Sequence, residues 1–319
     1  MAHTAIKPDW VRPETILFAT ESPANETVFE FALSQAHAFH ARLILFHAYD
    51  TLMATTSETS GICYYDAAGA EREEKRRLEP LAERARQAGI ECEVVVRSGL
   101  PAERILTFAR ERTIDRIVMG THSPGPVGKL LVGSVAEDVL RHSVAPVYIV
   151  GPHAAVPDKG DFVTRTVLCG VSLHESSAVV ARFAAELAAQ HEARLVLEHV
   201  IGPQERTAVL GGRSPDKLET ELLAYVPREL REWVELQTIV VPGDPTEELL
   251  NQSRAQEADV IVLGARGASA FAAITRYGIV YKMLASAPCP VITLSPVVLA
   301  QCGTAEPKEL VEAYMGGMF

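Results

Sequence analysis

The chain has 319 residues, 48% hydrophobic and 22% charged, so it is long enough for about two globular domains and lacks the composition of a disordered or fibrous protein. Its formal charge of -11 argues against general attraction to nucleic acids or anionic lipids. No apolar run approaches the ~18 residues of a membrane span, the N-terminus lacks a signal-peptide core, and the five cysteines form no CxxC pair. We therefore expect a cytoplasmic protein without a disulfide framework that binds neither nucleic acid nor membrane.

The first half of the chain alternates short apolar runs with longer amphipathic stretches. The runs predict five strands, at 15–20, 42–49, 91–96, 115–120 and 146–150. Because these runs do not alternate polar with apolar residues, they are typical of parallel strands buried on both faces. The amphipathic stretches predict helices at 25–41, 70–88, 101–112 and 135–141. Pro101 fits the first turn of a helix and Gly89 fits the residue after a helix end.

The second half repeats this pattern, with strands predicted at 165–171, 194–200, 236–241, 259–263 and 290–294. The run DRIVMG at Asp115 recurs as DVIVLG at Asp259, and APVYIV recurs as CPVITL, both at an offset of 144 residues. Nearer the start of each half, His47 and His199 are 152 residues apart, which places about eight extra residues in the first half, within the loop 50–70. Self-similarity of this kind indicates one fold written twice.

This order of elements predicts two tandem α/β domains, each a doubly wound, five-stranded parallel sheet with strand order 3-2-1-4-5. We assign residues 1–150 to the first domain, 151–162 to a linker, 163–296 to the second domain and 297–319 to a tail in which 307–315 could form a short helix. The apolar fifth strands would be exposed edges in isolated domains. We therefore expect the two domains to pack on each other along these strands through a pseudo-two-fold axis.

The loop after the fourth strand is the expected ligand site. In a doubly wound sheet of this order, ligands bind at the carboxyl ends of strands one and four, where the strand order reverses. Here Gly120 ends the fourth strand, and Gly133 and Ser134 precede a helix. Glycines let the backbone approach a ligand closely, and a helix start offers free amides and a positive dipole end to a phosphate. Glycines at strand ends are also ordinary turn residues, so this pattern alone leaves both interpretations open.

The spacing of these residues resembles a known signature. Gly120-x-x-Ser123, nine further residues and Gly133-Ser134 are similar to the G-x-x-G-x9-G-[S/T] motif of the universal stress protein family, which the ILFAT start and APVYIV ending also resemble. The resemblance extends over both halves. It implies an adenine nucleotide alpha-hydrolase-like fold that binds ATP or AMP, with or without Mg²⁺, and pairing of the two domains, with a homodimer as a further option. It also implies a stress-response regulator or protective protein without a well-defined reaction, at most slow ATP hydrolysis.

By this resemblance, the first domain is the main nucleotide site. The residues expected to form it are Ala19, Thr20, Glu21, Met119, Gly120, His122, Ser123, Gly133, Ser134 and Val135. Two of them depart from the family's pattern: Ser123 replaces the second motif glycine, and Glu21 stands where an aspartate is expected. The alternative function is therefore an interaction scaffold of the same fold that binds no nucleotide.

The second domain departs further from the motif. Its weaker candidates are Gly264, Arg266, Gly267 and Gly278. Ten residues instead of nine separate the last two glycines, Ile279 replaces the hydroxyl residue, and Ser172 replaces the acid after strand one. The lost hydroxyl removes a charge-assisted hydrogen bond to phosphate, and the extra residue is expected to shift the loop away from the helix start. We predict about one nucleotide per chain.

Other catalytic or metal-binding patterns are not evident in the sequence. It contains no G-x-S-x-G elbow, no P-loop and no G-x-G-x-x-G after the first strand. His37 and His40 lie one helical turn apart with His47 nearby, but no Cys or carboxylate completes a metal site at ligand spacing. We therefore predict neither catalytic residues nor a metal site.

Overall fold

The computed structural model describes residues 8–49, 67–121, 132–156, 162–173, 176–202, 215–264 and 278–302. Most of the predicted insertion at 50–70 and the tail stretch 307–315 lie outside these residues. The same holds for four candidate site residues, His122, Ser123, Arg266 and Gly267. No helix of the described ranges is long and apolar enough to cross a membrane.

The first half contains the five predicted strands and four predicted helices, preceded by a short helix α1 (Pro8–Val11). The strands are β1 (Thr15–Thr20), β2 (Arg42–Tyr49), β3 (Cys92–Ser98), β4 (Arg116–Gly120) and β5 (Val147–Val150). The helices are α2 (Glu26–Phe39), α3 (Ala67–Gln87), α4 (Pro101–Glu111) and α5 (Ser134–His142). Asn25 begins α2 by accepting a hydrogen bond from the amide of Val28, and Gly89 follows α3 with a φ of +80° that favours glycine.

The second half contains the other five predicted strands. They are β6 (Thr166–Gly170), β7 (Arg194–Ile201), β8 (Leu236–Pro242), β9 (Val260–Gly264) and β10 (Val291–Leu294). The helices are α6 (Ser176–Gln190), α7 (Pro215–Leu223), α8 (Arg228–Arg231), α9 (Pro245–Ala255), α10 (Ile279–Ser286) and α11 (Pro296–Gln301). Helix α11, which follows the last strand, is not among the predicted elements.

Each half has the predicted strand order 3-2-1-4-5 with parallel neighbours. The two fifth strands also meet as predicted, but they pair edge to edge and antiparallel, with Tyr148 opposite Ile292. The ten strands therefore form one continuous mixed sheet, β3-β2-β1-β4-β5-β10-β9-β6-β7-β8, which corrects the picture of two separate sheets packed on each other. Direct pairing satisfies the backbone N–H and C=O groups that each fifth strand would otherwise leave exposed.

Equivalent hydrogen bonds mark the repeat in three dimensions. Asp115 accepts bonds of 3.1 and 2.9 Å from the two amides at the start of β1. Asp259 accepts bonds of 2.7 and 2.9 Å from the two amides at the start of β6. At the opposite end of the strands, Nδ1 of His47 bonds to the carbonyl of Thr20, the last residue of β1, at 2.9 Å, and Nδ1 of His199 bonds to the carbonyl of Val171, the residue after β6, at 3.0 Å. The repeated sequence motifs thus place the same polar ties in both halves.

A buried arginine lies where the two halves meet. Arg116 is fully buried, its Nη1 donates to Oε1 of Gln35 at 2.5 Å, and its guanidinium lies 4.7 and 4.2 Å from the ring centroids of Phe39 and Tyr148. The Phe39 ring contacts His191 of the second half, with centroids 5.4 Å apart. Burial lowers the pKa of Arg116, and burial together with the charge of Arg116 lowers the pKa of His191 to about 4.

Candidate functional site

A cavity of about 700 Å³ lies at the carboxyl ends of β1, β2, β4 and β5, between the starts of α2 and α5. Its volume falls within the range usual for small-molecule sites. Six predicted site residues line it: Ala19, Thr20, Glu21, Met119, Gly120 and Val135. The predicted switch point of the sheet is therefore an open crevice in the first half.

The start of α5 opens into this crevice. Gly133 is the residue before the helix, and its backbone is extended, with φ -66° and ψ 153°. As a glycine, it has no side chain that could accept a hydrogen bond from the first helix amides. Ser134 is exposed, and Val135 and Ala136 line the cavity. The first amides of a helix lack intrahelical acceptors and carry the positive end of the helix dipole. An uncapped helix start facing a cavity can bind an anion.

Gly120 keeps the end of β4 accessible. A Cβ atom at this position would lie 3.1 Å from Cγ2 of Val28, closer than ordinary van der Waals contact. The next residue, Thr121, donates its amide to the carbonyl of Val150 at 3.3 Å and also lines the cavity. A larger residue than glycine would thus push α2 away from the strand end or narrow the crevice.

His47 fixes the wall of the cavity between β1 and β2. Its Nδ1 lies 2.9 Å from the carbonyl oxygen of Thr20, and because a carbonyl only accepts, Nδ1 carries the proton. Its Nε2 then faces Oε2 of Glu74 on α3 at 4.0 Å. This tie holds Thr20 and Glu21 where they line the cavity. In the sequence, His47 marks the repeat and lies near the histidines of a possible metal site, and its place at the end of a buried strand is the signal for this role.

Further lining residues come from segments that the motif does not cover. They are Pro23, Ala24, Asn25, Thr27 and Val28 at the start of α2, Ala48 on β2, Pro101 and Ile105 on α4, and Gly151, Pro152 and Ala154 after β5. The last three lie in the predicted linker. All of these residues follow or face the carboxyl ends of strands, and this position in the sequence could have predicted that they line the cavity. Many are apolar, which suits the faces of a flat ring.

At the corresponding strand end of the second half, two side chains lie close to the glycine. A Cβ atom at Gly264 would lie 2.7 Å from Cγ2 of Val180 and 3.8 Å from Cδ1 of Leu299 on α11. Leu299 is fully buried. Around Gly120, by contrast, Val28 is the single neighbour within 4 Å that the described residues provide. Leu299 of helix α11 therefore lies close to the end of β9, which corresponds to the end of β4 at the crevice of the first half.

The helix start of the second half nevertheless keeps its geometry. Gly278 precedes α10 with φ -75° and ψ 156°, close to the values of Gly133, and has no side-chain cap. The loop that carries the extra residue, 265–277, lies outside the described residues, so its expected shift stays a prediction. The hydroxyl of Ser172, at the position equivalent to Glu21, lies 3.0 Å from the hydroxyl of Ser177 on α6. At these two positions, the start of the helix is alike in both halves and the residue after the first strand differs.

The histidines considered for a metal site do not converge. His37 and His40 are exposed at the end of α2, whereas His47 lies at the end of β2. Within the described ranges, no group of three or more His, Cys, Asp and Glu side chains is arranged to hold a metal ion. The four described cysteines are buried without a disulfide among them, and burial raises the pKa of Cys92 to about 11.

Comparison with known sequences matches both halves to one family. The profile of the universal stress protein family matches residues 13–151 and 164–295. A universal stress protein of Thermus aquaticus is 34% identical over 142 residues, which cover 43% of this chain and 98% of the relative. Another, from Bacillus subtilis, is 28% identical over 136 residues, which cover 40% of this chain and 92% of the relative. Each relative thus corresponds to about one half of the chain.

Solved structures match the two halves together. A universal stress protein from Archaeoglobus fulgidus has a TM-score of 0.64 at 21% identity and covers 88% of this chain and 98% of its own. A functionally unknown protein from Pseudomonas aeruginosa has a TM-score of 0.62 at 17% identity and covers 92% of this chain and 97% of its own. At these identities the likeness concerns the fold, including its tandem arrangement.

Proposed function

The chain belongs to the universal stress protein family, and from that premise we propose that it is a stress-response protein whose first half binds ATP or AMP. The observation that carries the proposal is the 700 Å³ cavity, which joins a helix start without a side-chain cap at Gly133 to a crevice lined by polar and apolar residues at the switch point of the sheet. Such a site offers one end to a phosphate and the other to a base.

The phosphates are assigned to the end of the cavity formed by β4 and α5. There Gly120, Gly133, Ser134 and the amide of Val135 would surround them. The chain carries a formal charge of -11, so an anion must be held by local backbone amides and the helix dipole instead of by overall attraction. His122 and Ser123, outside the described residues, are proposed as further phosphate contacts from the same loop.

The base and ribose are assigned to the strand ends opposite. Ala19, Thr20 and Glu21 line the cavity there, and Met119 adds an apolar surface at the end of β4. The Glu21 carboxylate can accept hydrogen bonds from ribose hydroxyls, because a carboxylate has only acceptor positions. The apolar lining suits the faces of an adenine ring.

Titration calorimetry of the full chain with ATP and with AMP tests this proposal. We expect micromolar affinity, about -8 kcal/mol, for at least one of them. The absorbance ratio of the purified, denatured protein would reveal nucleotide retained from the cell. Absence of heat for both ligands at millimolar concentration would reject the nucleotide site in favour of the second candidate.

The second candidate is an interaction scaffold of the same fold without a nucleotide. The packing of Leu299 near Gly264 favours this role for the second half, because an apolar side chain stands where the first half is open. For the whole chain, the calorimetric result decides between the two functions.

A further inference from the structure

Tyr281 on α10 connects the second half to the candidate phosphate site of the first half. Its hydroxyl accepts a hydrogen bond of 3.1 Å from the amide of Val132. Both residues are buried, with 8% and 7% of their surfaces exposed. Val132 immediately precedes Gly133, at which the start of α5 is set. A side chain of one half thus holds the backbone at the anion-binding end of the other.

We propose that Tyr281 is a positioning residue for the nucleotide site of the first half. It does not line the cavity, and it acts through Val132 and Gly133 on the direction of the first amides of α5. This inference rests on the proposed nucleotide site and adds to it a dependence on the second half of the chain.

The physical basis is the cost of an unpaired buried amide. A buried N–H that loses its acceptor is strongly disfavoured, so the segment around Val132 would move to find another partner. Such movement would change the direction of the first amides of α5, because Val132 immediately precedes Gly133. A bound phosphate requires the helix amides in place, because hydrogen bonds to an anion depend on distance and direction. Loss of the Tyr281 hydroxyl is therefore expected to weaken the binding of a phosphate.

The hydrogen bond between Val132 and Tyr281 has no equivalent from the first half to the second through the matching side chain. Gly133 and Gly278 hold equivalent positions before α5 and α10, so Tyr281, three residues after Gly278, corresponds to Ala136. Alanine has no hydroxyl with which to return the hydrogen bond. The second half can therefore support the site of the first half without receiving the same support.

Tyr281→Phe tests the proposal, because it removes one oxygen and keeps the ring in the core. Tyr148→Phe is the matched control: its hydroxyl is also buried, but it has no hydrogen-bond partner among the described residues. Calorimetry on the full chain would compare ATP, which carries phosphates, with adenosine, which does not. We expect Tyr281→Phe to lower the affinity for ATP about tenfold and the affinity for adenosine by less than about twofold. Tyr148→Phe should change neither affinity by more than about twofold.

Hydrogen exchange of the ligand-free chain gives a second readout. Tyr281→Phe should increase the exchange rate of the amide of Val132, whereas Tyr148→Phe should not. Equal weakening of ATP and adenosine would indicate general loosening and overturn the proposal. Unchanged ATP affinity or unchanged exchange at Val132 would overturn it and leave the nucleotide site standing. A wild-type chain that binds neither ligand would overturn both.

Discussion

Glu198 stands on β7 at the position that Phe46 holds on β2. Phe46 packs on the ring of Phe108, with centroids 4.9 Å apart. Glu198 is 1% exposed, and neither of its carboxylate oxygens has a hydrogen-bond partner within the described part of the chain. Burial, and to a smaller extent the negative charge of Glu248, raises the pKa of Glu198 to about 8. The second half thus places a buried acid where the first half places an aromatic ring.

This buried acid predicts a loss of stability with rising pH. Between its ordinary pKa near 4.5 and about 8, the folded state holds a proton that the unfolded chain has released. The contribution of Glu198 to the free energy of unfolding is therefore fully present below about pH 4.5 and is lost as the pH rises to about 8. Glu198→Gln should remove this decline and stabilise the protein by on the order of 5 kcal/mol at pH 9. Urea unfolding between pH 5 and 9 would measure the free energy of unfolding of both proteins, with Glu235→Gln at an exposed position as the control. Parallel pH profiles for wild type and Glu198→Gln would contradict the prediction.

Gly133→Val should abolish ATP binding without unfolding the protein. The backbone at Gly133 has φ -66° and ψ 153°, which any residue can adopt, so valine fits the chain but fills the approach to the helix amides. Gly278→Val is the matched variant, because the glycine has nearly the same angles before α10. Calorimetry should show no ATP binding for the first variant and unchanged affinity for the second. Equal losses would mean that both halves bind the nucleotide.

The number of nucleotides per chain should be close to one. In the second half, Leu299 lies near Gly264, the Ser172 hydroxyl is engaged with Ser177, and Ile279 supplies no hydroxyl at the helix start. An apolar residue cannot replace a charge-assisted hydrogen bond to phosphate, worth about 1.5 to 3 kcal/mol. Native mass spectrometry at saturating ATP would count the ligands. A population with two equivalent sites would contradict the assignment.

Arg116→Met should raise the pKa of His191. Burial is the larger cause of its low value of about 4 and the charge of Arg116 the smaller, so the pKa should rise but stay below the ordinary 6.5. The substitution should also cost roughly 1 to 3 kcal/mol of stability, because Oε1 of buried Gln35 loses its donor. NMR titration of the His191 ring would follow the pKa, with the exposed Arg112→Met as control. A pKa that stays near 4 would show that burial alone sets it.

The strands could be predicted from the sequence because their signal is local. Each is a short apolar run, and the repeat of DRIVMG as DVIVLG aligns β4 with β9 from the sequence alone. Helix α11 was missed because its run PVVLAQ is too short to show a helical period. The joining of β5 and β10 into one sheet depends on where two distant edges meet, which no local pattern records.

Some residues of the candidate site could be predicted from local patterns, and others could not. Ala19 to Glu21, Met119 and Gly120 were found because they end strands that the order 3-2-1-4-5 brings together. Pro152 and Ala154 were assigned to a linker because nothing in their composition separates a linker from a segment folded over a cavity. The hydrogen bond from Val132 to Tyr281 joins residues 149 positions apart and belongs to neither motif.

The antiparallel pairing of β5 with β10 joins two copies of one fold within a single polypeptide. In a dimer of identical chains, each mutation near the shared edge would appear on both sides of the symmetry axis. Here Tyr281 and Ala136 occupy equivalent positions and differ, so each copy is free to specialise. Because the two copies are joined in one chain, they can carry different residues at equivalent positions, which two identical chains cannot.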